Sequence, residues 1–157
     1  MMSAVRAGPI ITYGMVCSRS EGRPPGRSLN LFASFWLNLY LFGQVDGFAP
    51  PAPYTLDELD PAGLLPDRRY TRDELLSYLD HGRQKCREAI GTLTDDKANR
   101  RCTFLWGEVS YAELLLYNMR HIQEHGAQLN LFLGQEIGKS ARWVAQTKSS
   151  LGNEPRR

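Results

Sequence analysis

The chain is poor in histidine and cysteine and has no long apolar run, and each shortage removes a class of function. Cysteine occurs three times, at Cys17, Cys86 and Cys102, far apart and with no Cys-x-x-Cys pair. This excludes a disulfide framework and suits a reducing, cytoplasmic setting. No apolar stretch reaches the ~20 residues of a membrane-spanning helix. The strongest, Leu29 to Phe42, is interrupted by Asn30, Ser34 and Asn38 and reads as a buried core helix. The first residues lack the continuous apolar core of a secretory signal. Charge of one sign is also lacking. The net charge is +2, and the bases are scattered among acids, so nucleic acid is not expected as a partner.

What remains is the profile of one soluble globular domain: 157 residues, 42% apolar and 23% charged. Residues 1–28 are atypical, because Gly8-Pro9, Gly14, Gly22 and Pro24-Pro25-Gly26 break any helical period. They read as a flexible arm ahead of a domain over residues 29–145, with a flexible tail over 146–157.

The first convincing helix runs from about Ser28 to Gly43, with Leu31, Phe35, Leu39 and Phe42 on one stripe and Phe32, Trp36 and Tyr40 beside it. The proline-rich connection that follows excludes regular structure. Its apolar residues Phe48, Tyr54 and Leu56 or Leu59 predict a segment that covers the core. Thr71-Arg72-Asp73-Glu74 is a capping box opening a helix to about Ile90, with Gly91 as its end. Cys102 to Val109 reads as a short extended loop with a turn at Gly107. Ser110-Tyr111-Ala112-Glu113 is a second capping box, and its helix is expected to stop at Gly134. On that helix Leu115, Met119, Ile122, Gly126, Leu129 and Leu133 make a heptad-like seam. Asn118, His121, His125, Gln128 and Phe132 make the adjacent stripe. The two capped helices are expected to pack nearly antiparallel along their apolar seams. Three clear helices with these connections predict an all-α, up-and-down bundle whose first helix is missing or altered.

His121 and His125 carry the chemistry. They are two of only three histidines, and residues four apart lie on one helix face in adjacent turns. Neutral imidazole is the commonest side-chain ligand for zinc and suits nickel and iron, so the pair is a candidate metal site. The plain alternative is two polar residues on a solvated face. A metal site needs at least three protein ligands, and the third is not evident. With Glu124 the string His-Ile-Gln-Glu-His matches the H-x-x-E-H of inverted zinc peptidases. The acidic third ligand of that class is lacking, since Glu136 is too close and Glu154 lies in the tail. His81 reads as a surface histidine beside Asp80 and Arg83. Cys86 and Cys102 show no activating base.

The run FLWGEVSYAELLLYNMRHIQEHGAQLNLFLGQ, Phe104 to Gln135, resembles the DinB-like superfamily of bacterial four-helix-bundle proteins. The resemblance extends back through GFAPPAPYTLDELDPAGLLPDRRYTRDELLSYLDHGRQKCREAI and covers about Leu29 to Trp143. It implies a divalent metal, zinc or nickel, held by three histidines. An H-x-x-x-H on a late helix supplies two of them, matched here by His121 and His125. The remaining histidine belongs near the start of an earlier helix, where Phe32 stands in this chain. Either a foreign segment joins the domain near Asn30, or the chain is a natural variant that has lost the site. Some relatives are metal-dependent transferases using small bacterial thiols, which implies a small thiol or other small-molecule substrate. Two readings result: a divalent-metal-binding bundle with an incomplete histidine site, related to thiol-dependent transferases, or a non-catalytic bundle acting through protein contacts as a homodimer.

Overall fold

The computed structural model describes residues 25–60 and 68–142. The expectations for residues 1–24, for 61–67 and for the tail from 143 onward lie outside these described residues.

Helix α1, Pro25–Phe42, is the centre of the fold. No charged residue occurs from Ser28 to Phe42, so the helix can be enclosed on several sides without stranding a charge. Phe35, Leu39 and Tyr40 are almost fully buried. Its C-terminal carbonyls are satisfied from outside the helix. Gly43, at φ +90°, turns its N–H onto the Leu39 carbonyl, Tyr111 donates its hydroxyl to the Leu41 carbonyl, and Arg100 donates to the Phe42 carbonyl.

The covering segment follows as expected. Phe48 and Tyr54 are buried, and Phe48 meets Phe35 edge to face at 5.5 Å. A single 3-10 turn, Asp57–Leu59, tucks Leu59 against the core and leaves Leu56 exposed. Tyr54 is sandwiched between Tyr78 at 3.9 Å and Tyr70 at 5.0 Å, and its hydroxyl bonds the Glu74 carbonyl.

Helix α2, Arg72–Gly91, opens with the Thr71–Glu74 capping box. It buries Leu75, Tyr78 and Gly82. Gly82 is the contact point with α1, since a Cβ there would lie 2.7 Å from Leu37 Cδ2. Helix α3, Asp95–Asn99, is one short turn-and-a-half capped by Thr94. Strands β1, Arg101–Phe104, and β2, Gly107–Ser110, form an antiparallel hairpin pairing Cys102 with Val109. Side chains alternate faces along a strand, so Cys102 and Phe104 point inward together.

Helix α4, Tyr111–Ile137, opens with the Ser110–Glu113 capping box. It runs past Gly134 and ends at Gly138, which takes the left-handed conformation at φ +65°. Gln135, Glu136 and Ile137 are compatible with helix, and Gly134 adopts no positive φ, so the stop falls one turn later than the sequence suggests. Tyr111 reaches Leu41, Asn118 bonds the Leu37 carbonyl, and His125 meets Phe32, so α4 runs antiparallel to α1.

The architecture is the expected all-α bundle, but two details of its packing differ from the expectation. α2 and α4 both pack on α1 rather than on each other. The face of α4 turned to α1 is also not the heptad-like seam. It is the neighbouring stripe of Tyr111, Leu114, Asn118 and His125, while Met119 and Leu133 are exposed. The reason is complementary polarity: Asn118 Nδ2 donates to the Leu37 carbonyl at 3.1 Å, and the imidazoles pack on the α1 aromatics.

Candidate metal centre

Two ladders of side chains at helical i, i+4 spacing meet between α1 and α4. Phe32, Trp36 and Tyr40 form one, and Tyr117, His121 and His125 form the other. Because the helices are antiparallel, the rungs pair in reverse order. Tyr40 meets Tyr117 at 5.3 Å and His121 at 5.9 Å, Trp36 meets His121 at 6.4 Å, and Phe32 meets both imidazoles.

The imidazole pair is close. The ring centroids of His121 and His125 are 4.4 Å apart, nearly perpendicular at 83°. His125 is buried, and its Nδ1 pairs with Gln128 Oε1 at 2.9 Å. An Nδ1–H donated to that amide oxygen leaves Nε2 as the lone-pair nitrogen, which is how ligand histidines are commonly oriented. His121 is half-buried, and its Nε2 is buried with no hydrogen-bond partner. Burial, with a smaller contribution from His125, pushes the His121 pKa down to about 4. The ring is therefore neutral at pH 7, with a nitrogen available to a Lewis acid. An orphaned buried nitrogen costs stability unless something occupies it.

Phe32 closes the third side of the site. Its ring lies 5.1 Å from His125, edge to face, and 5.9 Å from His121. The residue brought to the pair by α1 is thus a hydrocarbon. No group of three or more histidine, cysteine or carboxylate side chains able to share an ion occurs among the described residues. Tyr117, Arg120, His121, Gln123 and Glu124 line a shallow open cleft of about 310 Å³ beside the pair. The donor set therefore fits half of a metal site. Two adjacent imidazole rings are present, and the third corner is a hydrocarbon ring that cannot ligate an ion.

Of the other sequence candidates, Glu124 is exposed and lines that cleft with His121, and Glu136 is exposed near the end of α4. His81 is not the surface histidine its neighbours Asp80 and Arg83 suggest. It is half-buried beside Tyr78, its Nε2 is enclosed without a partner, and burial lowers its pKa. The Tyr78 ring, one turn earlier on the same helix, stacks beside it at 6.5 Å. Burial raises the thiol pKa of both Cys86 and Cys102, so neither is activated as a nucleophile. Gln128 and the walls Trp36, Tyr40 and Tyr117 are the residues whose part in the site sequence reasoning missed. Their helical spacing, i+4 and i+8 from Phe32 for Trp36 and Tyr40, i−4 from His121 for Tyr117 and i+3 from His125 for Gln128, was the available signal.

Neither the curated proteins nor the solved structures yield a match to this chain. A family profile does match, over residues 12–129, a span that includes α1, α2, the hairpin and both histidines and begins upstream of Leu29. The matched family is the one whose late-helix histidine pair and bundle fold are described above, and the chain belongs to the DinB superfamily.

Proposed function

We propose that this chain is a DinB-type bundle whose divalent-metal site is reduced to two ligands, His121 and His125. One observation supports this most: a buried His121 Nε2 with no partner, beside a second imidazole, in a corner that α1 closes with Phe32. A buried nitrogen without a protein partner is unusual in a folded protein, and here it sits beside a second imidazole, the arrangement that suits a shared ligand. Zinc and nickel are the ions an imidazole pair favours. With two protein ligands and water completing the shell, binding is weak, because fewer ligands are held in place in advance. The family resemblance to thiol-dependent transferases names the chemistry that a complete site would serve, with a small thiol as substrate. Phe32 leaves the donor set short, so no catalytic step is assigned to this chain. Isothermal titration with zinc tests the proposal. The parent should bind weakly, and His121→Ala should abolish that binding. Tight one-to-one binding, or weak binding that survives His121→Ala, would show that the ligands lie elsewhere.

The second reading, a bundle that acts through contacts with another copy of itself, rests on a different observation, the exposed apolar stripe of α4.

A further inference from the structure

The chain reverses at the end of α4, and one hydrogen bond gives its heading. Gly138 takes the left-handed conformation, and three residues later the Ala141 N–H donates to Asn130 Oδ1 at 2.6 Å. Asn130 lies eight residues before Gly138, ~12 Å back along the helix at 1.5 Å per residue. Three residues span at most ~11 Å when fully extended. Only a chain drawn out nearly straight, antiparallel to α4 and against its side, meets the Asn130 side chain by Ala141. Residues 139–142 accordingly hold no regular secondary structure.

The side it runs along is the border of the apolar seam. At 3.6 residues per turn, Asn130 stands about 40° round the helix from Gly126 and about 60° from Leu133. The other described elements leave this seam open. Met119 is 52% and Leu133 42% exposed, and Ile122 and Leu129 are half-buried. The middle of the seam is a hollow, since a Cβ at Gly126 would meet nothing within 4 Å.

We propose that the segment beginning at Trp143 continues this course and seats the Trp143 indole over Gly126. Trp143 is two residues past Ala141, which carries the chain ~7 Å further along α4, or about four to five helix residues. Counted back from Asn130, that is the level of Gly126. Glycine supplies the hollow, and the indole is the large apolar group that fills it. Trp143 is the only aromatic residue after Phe132, so no other ring in this stretch could take the place. Seated there, it borders Ile122, Leu129 and Leu133 and takes the middle of the seam out of water. A seam covered by its own chain is closed to a second copy, so this inference stands against the homodimer reading of the same stripe. It is independent of the histidine site.

Two variants of the full chain test it. Gly126→Cys combined with Trp143→Cys should form a disulfide between positions 126 and 143 under mild oxidation, within one chain and at monomer mass. Such a bond needs Cα atoms within about 7 Å, so it reports the contact itself. Peptide mass separates it from links to Cys17, Cys86 and Cys102. Trp143→Glu should raise the fluorescence of anilinonaphthalene sulfonate several-fold, because the seam is uncovered, while circular dichroism at 222 nm stays unchanged. A 126–143 link found only between two chains would overturn the proposal in favour of association between copies. No 126–143 link, or dye binding that Trp143→Glu leaves unchanged, would overturn it equally.

Discussion

Removing the Tyr111 hydroxyl isolates one of the bonds that join α4 to the end of α1. The hydroxyl donates to the Leu41 carbonyl at 2.8 Å, in a buried setting, across 70 residues of chain. That carbonyl belongs to the last turn of α1 and has no partner within the helix. Tyr111→Phe keeps the ring, and with it the contact to the Arg100 guanidinium at 5.0 Å from the centroid. Only the donor is lost, and the buried acceptor is left unsatisfied. Such a change costs about 1–3 kcal/mol. Against a typical stability of ~5–15 kcal/mol this is a sizeable fraction. In urea, with a slope of about 2 kcal/mol/M, the midpoint should fall by roughly 0.5–1.5 M at unchanged slope. Circular dichroism at 222 nm follows the transition. A midpoint within error of the parent would refute the assignment, because it would mean that water replaces the hydroxyl at no cost.

Three further outcomes follow from other parts of the fold. Gly43→Ala should destabilise the chain by about 1–3 kcal/mol, since the position needs φ +90° and an added Cβ would land on the Arg100 guanidinium; thermal melts report it. Glu58 is pushed up to about 7 by burial, with Asp57 adding to the effect. A carboxyl raised in the folded state favours folding at low pH. Its contribution is fully present below about pH 4 and is lost as pH rises through 7. Glu58→Gln should therefore flatten the fall in melting temperature between pH 5 and pH 8, and an unchanged profile would contradict the burial of that carboxyl. Ser110→Ala should cost about 1 kcal/mol by removing the cap of α4, measured by urea melts.

The helices were legible because their signals are local. Thr71 with Glu74 and Ser110 with Glu113 are capping boxes four residues long, and both form in the structure. The hairpin was half legible. Gly107 marked a turn, but the pairing of Cys102 with Val109 depends on the partner strand. Which face of α4 meets α1 was not legible. Periodicity finds the apolar seam at Leu115, Met119 and Ile122, yet the buried face is the one where Asn118 finds the Leu37 carbonyl and the imidazoles find aromatic rings. Burial there is decided by complementarity across the helix pair, which a single helix does not encode. His81 was misread for a different, local reason: Asp80 and Arg83 pointed to solvent, while the ring it stacks beside, Tyr78, lies one turn earlier on the same helix. The closure of the site by Phe32 came from the family pattern rather than from periodicity, and its ring does face both histidines.

The central claim is that α1 withholds one ligand from an otherwise formed site, and Phe32→His tests it most directly. The substitution puts an imidazole where the ring now lies 5.1 Å from His125 and 5.9 Å from His121. Zinc titration of Phe32→His beside the parent should show one-to-one binding at least tenfold tighter than the parent, with a matching rise in melting temperature on adding zinc. The gain should vanish when His125→Ala is added to the variant. Equal affinity in the parent and in Phe32→His would contradict the claim that position 32 is the missing corner of the site.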